Sequence, residues 1–170
     1  FYALQPFLLQ LYGHPDAYSV AGLAAALVAG AQILGGLLAR WTPRLFRHRT
    51  TVLIAAFAAN TLVLVGLGLV NSLAAALVLV AVWSMVSAIA VPVRQAFVNG
   101  LIPSAQRATV LSFDSLMGSA GGVVTQPALG RVADVSGYPA SYLVSAAIQA
   151  VSVPFAVLAR RERAASDPTR

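Results

Sequence analysis

The 170-residue sequence contains no cysteine and no lysine. The first absence excludes a disulfide frame and any thiolate metal site. The second excludes a glycine-rich phosphate loop ending in Gly-Lys-Ser/Thr. Charge is scarce as well: 9% of residues are charged, against about 25% in an ordinary soluble domain. Such scarcity excludes disorder, which needs high charge and low hydrophobicity. Only two histidines occur, His14 and His48, and both fall between apolar runs. No histidine is therefore placed within an apolar run to act as a general base, and no cluster has metal-ligand spacing. The run Gly118-Ser119-Ala120-Gly121 does not match the Gly-x-Ser-Gly pattern of an intramembrane serine protease. An enzyme is not expected, and neither is a cofactor.

What the sequence has in quantity is apolar surface. Hydrophobic residues make up 59% of the chain and the mean hydropathy is +0.81. A soluble domain must keep a polar exterior and could not hide this much. A helix that crosses a bilayer needs about 20 mostly apolar residues. Spans are read at residues 17–39, 50–70, 72–93, 108–132 and 138–159. The fourth is the most polar, since it carries Asp114 and Gln126. These lengths suit helices; barrel strands would be shorter and alternating. The opening residues 1–12 read as the end of a further helix whose start is missing, so a fragment of a longer protein is expected. No basic stretch or small-residue cleavage site marks that segment as a signal peptide. The fold class is all-α, a polytopic transmembrane helix bundle with a polar tail at 160–170.

The arginines assign the sides. If the Arg40–Arg49 loop faces the cytoplasm, each span flips the side. Arg40, Arg44, Arg47, Arg49, Arg94, Arg107, Arg160, Arg161, Arg163 and Arg170 then lie inside, and Arg131 alone lies outside. This is the positive-inside bias of a multi-pass protein of a cell (inner) membrane, with a cytoplasmic C-terminus. The net charge of +6 fits that topology better than nucleic-acid binding, for which no motif is present.

Within the spans, Gly22, Ala26 and Gly30 recur every four residues, as do Gly118 and Gly122. Such faces let helices approach closely, and can also let them slide. Pro92, Pro127 and Pro154 are candidate kinks. Asp114 is the one carboxylate inside a span, about 9 Å along the helix from Ala108. Arg107, seven residues earlier, is too far for direct contact, and Arg94 across the loop is a plausible partner. Such a pair is either a static interfacial contact or a latch that depends on state. Gln5, Gln32, Asn60, Gln95, Gln126 and Gln149 are amides that either line a polar path or bond between helices.

Two stretches resemble the major facilitator superfamily of secondary transporters. Gly35 to Arg49, GGLLARWTPRLFRHR, is similar to a worn copy of the family's loop, Gly-x-x-x-Asp-Arg-x-Gly-Arg-Arg. Gly35 and Arg40 match; Ala39 stands at the Asp position and Thr42 at the second Gly. IPSAQRATVLSF (Ile102 to Phe113), followed by a glycine-rich helix and GRVADVSGYPASYLV, is similar to the region of helix eleven in bacterial members. The resemblance implies the C-terminal half of such a transporter, from the end of helix seven to helix twelve. It implies a small organic solute, export or permeation by alternating access, and a gradient of protons or solute as the energy source. Arg40, Arg94, Arg107 and Asp114 become the gate and charge-latch candidates. The partners implied are the lipid bilayer, the solute, a proton as coupling ion and a missing N-terminal half. The alternative is a polytopic membrane scaffold that transports nothing.

Overall fold

The computed structural model describes residues 4–14 and 17–169. Residues 1–3 of the opening segment, Pro15 and Asp16 of the first connection, and Arg170 of the tail lie outside the described residues. The described elements are helical: α1 (Leu4–Tyr12), α2 (Tyr18–Ala39), the single turn α3 (Thr42–Leu45), α4 (Arg49–Leu69), α5 (Leu73–Leu101), a 3-10 turn (Ser104–Gln106), α6 (Arg107–Ala150) and α7 (Ser152–Arg161). Long apolar runs become helices because a helix satisfies every backbone polar group internally, as a bilayer demands.

Four stretches are long and apolar enough to cross a membrane: Ser19–Ala39, Arg49–Leu69, Leu73–Leu101 and Ser104–Arg161. The last has 58 residues and doubles back on itself. Gly137 interrupts α6 with φ 83° and ψ 164°. Ser141 Oγ donates to the Leu129 carbonyl at 2.9 Å. Along a straight helix residues that far apart in sequence would stand about 18 Å from each other, so the chain reverses at Gly137. The result is a helical hairpin with arms 107–136 and 138–150. Glycine suits the reversal because it adopts left-handed φ at no steric cost. Val151, at φ −60° and ψ −28°, carries the second arm on into α7. Arg163 then turns left-handed, at φ 48°, as the chain leaves α7.

One boundary differs from the sequence reading. The third span was expected to end at residue 93, ahead of a loop. Instead α5 continues through Asn99 and Gly100 to Leu101. Arginine and glutamine are good helix formers, and one glycine costs only about 1 kcal/mol. The stop comes at Pro103, which forces Ile102 into extended backbone (φ −99°, ψ 124°).

In the bundle, α5 packs against both α2 and α4, and α4 packs against α6 and α7. Glycines set the closest approaches. A Cβ on Gly35 would fall on the Met85 carbonyl and within 2.8 Å of the Ala88 Cβ, so α2 and α5 touch backbone to backbone. A Cβ on Gly68 would meet the Leu143 side chain at 2.7 Å and the Pro139 carbonyl at 3.0 Å. Two apolar cores result. Phe7, Leu8, Val28, Leu67 and Val80 belong to one, where the Phe7 ring sits 5.0 Å from Tyr142 and 6.1 Å from Tyr138. Val52, Leu53, Ala56, Ala90 and Val93 form the other, beside the start of α4.

The face of α2 that packs is not the one with the regular small residues. Ala24, Val28, Ala31 and Gly35 are buried, whereas Gly22, Ala26 and Gly30 are exposed. An added Cβ at Gly22, Gly30 or Gly118 would meet nothing within 4 Å. Spacing marks a smooth face, but packing against α5 decides which face is buried. Arm 107–136 is uncovered along most of its length; Phe113, Leu116, Val123 and Val124 are all exposed.

Candidate functional site

The first arm of α6 is tied to the bundle by charge near its start. Arg94 Nη1 donates to Asp114 Oδ2 at 3.0 Å and Arg94 Nη2 to Asp114 Oδ1 at 2.5 Å. The fork geometry is that of a bidentate guanidinium–carboxylate pair. It exists because α5 runs past its expected end at Val93 and carries Arg94 on a rigid helix. The side chains are 49% and 37% exposed, so the pair can open to water. Exposed pairs of this kind are worth about 0–1 kcal/mol, which makes this a contact that can be exchanged. Arg107 and Arg40, the other two latch candidates, do not join it. Arg107 is exposed at the head of α6. Arg40 lies over the ring of Trp41, with its Cζ 5.5 Å from the centroid.

The second tie, Ser141 to Leu129, sits beside a cavity of about 280 Å³ between the hairpin arms, α4 and α5. Trp83, Thr125, Ser141, Tyr142, Ser145 and Gln149 supply its polar groups, and Leu64, Leu67, Val80 and Ile148 its apolar wall. No charged side chain is among its described lining residues. Such a mixture of aromatic, hydroxyl and amide groups orients a neutral solute through a few hydrogen bonds. Of the six amides singled out from the sequence, Gln149 lines this cavity, and Gln5, Gln32, Asn60, Gln95 and Gln126 are not among its described lining residues. Gln5, Gln32 and Gln126 lie on exposed faces of α1, α2 and α6. Asn60 is buried, and its Nδ2 donates to Ser87 Oγ at 3.1 Å. The hydroxyl-bearing cavity residues escaped notice because serine, threonine and tyrosine are ordinary in membrane helices. Only the reversal at Gly137 brings Thr125 and Ser145 to one space.

Asn60 sits near the middle of α4, about 17 Å from its start at 1.5 Å per residue. Asn60 Oδ1 and the fully buried Ser84 Oγ have no hydrogen-bond partner among the described residues. An amide at this depth joins α4 to α5, and it leaves polar capacity unused.

The chain's end supplies a feature with no signal in the sequence. Asp167 is 3% exposed although it lies in the polar tail. Its Oδ1 accepts the Thr50 backbone N–H at 2.8 Å and its Oδ2 the Thr50 hydroxyl at 2.9 Å. Arg49 Nη1 donates to the Ser166 carbonyl at 2.6 Å, and Thr169 Oγ1 donates to the Phe46 carbonyl at 2.7 Å. His48, next to the first residue of α4, makes no side-chain cap. Asp167 does that work from the far end of the sequence, placing a carboxylate at the positive end of α4.

A family model described as Major Facilitator Superfamily matches residues 1–170, the whole chain. The chain belongs to the major facilitator superfamily. It is thus a multi-pass membrane protein of a transporter family, whose members take small-molecule substrates. The all-α bundle with its membrane-length helices accords with that membership. Searches of the curated proteins and of the solved structures return no match.

Proposed function

We propose that this chain is the C-terminal half of a secondary active transporter that moves a small, uncharged amphiphilic organic solute by alternating access, in the direction of efflux. The observation that carries the reading is the state of the first arm of α6. It is held at one end by a solvent-exposed ion pair and near the other by one hydrogen bond, and most of its apolar surface is uncovered. An arm so held can change neighbours at little energetic cost, which a rocking transporter requires. The uncharged lining of the 280 Å³ cavity supports a neutral solute. In this reading the exposed faces of α2 and of arm 107–136 meet the N-terminal half of the same protein and the lipid. Breaking the Arg94–Asp114 pair accompanies the change of state. A proton or solute gradient supplies the energy, with a proton as coupling ion.

The proposed orientation puts the C-terminus in the cytoplasm of a cell (inner) membrane. Its support is the arginine distribution together with the tail, which gathers Arg49 and the end of α7 at one end of the bundle. The test is flux. Full-length protein in proteoliposomes, under an imposed pH gradient, is assayed with a panel of labelled neutral and cationic amphiphiles. Gradient-dependent movement of neutral compounds supports the proposal. Movement of cationic compounds alone overturns the solute class. No flux under any gradient overturns transport and leaves a membrane scaffold.

A further inference from the structure

The loop between α2 and α4 carries basic side chains without counter-charges. Arg40 and Arg44 both stack on Trp41, their Cζ atoms 5.5 Å and 4.4 Å from its ring centroid. Arg47 follows and is exposed. The one ion pair among the described residues is Arg94–Asp114, so none of these three guanidiniums is neutralised. Asp167, the buried carboxylate of the tail, has both oxygens engaged by Thr50. Ala39 stands where the family loop carries its Asp, which removes the acid that could have answered Arg40 from within the loop.

The loop is also held in shape. The Thr42 hydroxyl donates to the Ala39 carbonyl at 2.7 Å and the Phe46 N–H to the Thr42 carbonyl at 2.9 Å. The tail adds bonds from Thr169 N to the Arg47 carbonyl at 3.1 Å and from Arg49 N to the Asp167 carbonyl at 2.8 Å. Main-chain groups are thus tied down while the guanidiniums stay open. Beside them lies a cavity of about 500 Å³, lined by Arg44, Phe46, Arg47, His48 and Thr169 among others. Trp41 and Leu45 are exposed, Leu45 at 76%. The loop directly follows the last turn of a membrane-length helix, so it lies at the level of the lipid headgroups. Tryptophan favours that level, with its ring in the apolar boundary. Basic pockets at that depth are suited to anionic headgroups. The other natural anion site nearby, the start of α4, is already filled by Asp167.

We infer that residues 40–47 bind the headgroup of an anionic phospholipid. Arg40, Arg44 and Arg47 meet the phosphate, and Trp41 and Leu45 enter the glycerol and acyl region. The site is independent of the transported solute. Each arginine near an anionic surface contributes about fivefold in affinity, so three contribute on the order of a hundredfold.

The test uses full-length protein in detergent. Thermal stabilisation is titrated with phosphatidylglycerol, with phosphatidylcholine and with inorganic phosphate. The native protein is expected to be stabilised by phosphatidylglycerol alone. The triple variant R40Q/R44Q/R47Q is expected to need about a hundredfold more of it, and the control R161Q, at the end of α7, to need no more than the native protein. If the triple variant does not fold, R44Q alone carries the test, with an expected loss of about fivefold. Equal stabilisation by both lipids overturns the inference. So does an equal loss in R161Q, which would make the effect one of net charge. Stabilisation by inorganic phosphate at the same concentration would make this a soluble-phosphate site and overturn the lipid assignment.

Discussion

Replacing Asp167 with alanine removes the carboxylate that caps α4 from the tail. The two hydrogen bonds lost are short, at 2.8 and 2.9 Å, and both end on Thr50, which is 1% exposed. Hydrogen bonds to a charged group contribute about 1.5–3 kcal/mol each. Loss of a helix cap alone costs about 0.5–2 kcal/mol. The tail lies at the end of the bundle, so water can reach Thr50 once the tail lifts, and the sum falls toward the lower limit. The expected loss is about 2–3 kcal/mol, on the order of a hundredfold in the population of the opened tail. Amide hydrogen exchange reads it directly, because Thr50 N and Thr169 N both donate across the contact. Both amides should lose protection together in Asp167→Ala. Amides in the middle of α5 should not change. Asp167→Asn keeps the shape and one acceptor, so about half the effect should remain. Unchanged protection at Thr50 in the alanine variant would refute the reasoning: the carboxylate would then not hold the tail in solution.

Three further outcomes are expected. Asp114→Asn should lower transport severalfold while leaving membrane insertion and expression intact; unchanged flux in proteoliposomes would reduce the Arg94–Asp114 pair to a static contact. Gly35→Ala should destabilise by about 1–3 kcal/mol through overpacking, because its Cβ has no room against α5. Gly22→Ala, on the same helix but in open space, should be neutral or slightly stabilising, and thermal unfolding of the two variants side by side decides whether the α2–α5 contact is as close as described. Gly137→Ala should cost about 1–3 kcal/mol, because positive φ with extended ψ is a region essentially confined to glycine, and a variant with native stability would contradict the reversal placed there.

The helical class was legible from hydropathy, because a bilayer leaves few ways to satisfy the backbone of a long apolar run. The break between the last two spans was read between residues 132 and 138, and the reversal falls there, at Gly137. Asp114 stood out as the lone carboxylate in an apolar run, and Arg94 was within reach on chemistry alone. The end of α5 was not legible. Polar residues at a helix end read as a loop, yet nothing in Arg94, Gln95 or Asn99 breaks a helix until Pro103 intervenes.

What the sequence by itself determined, then, is the solvent this chain is built for, the helices that follow from that solvent, and its family. Those properties rest on local composition and on short motifs such as the Gly35–Arg49 loop. The tertiary structure alone decided which face of α2 is buried, since Ala24, Val28, Ala31 and Gly35 are no more distinctive in sequence than Gly22, Ala26 and Gly30. It alone brought Thr125 and Ser145 to one cavity by reversing the chain at Gly137. It alone made Asp167 a cap for Thr50, a pairing of residues 117 positions apart. Contacts of that kind depend on where distant helices end in space, and no local pattern of residues records that.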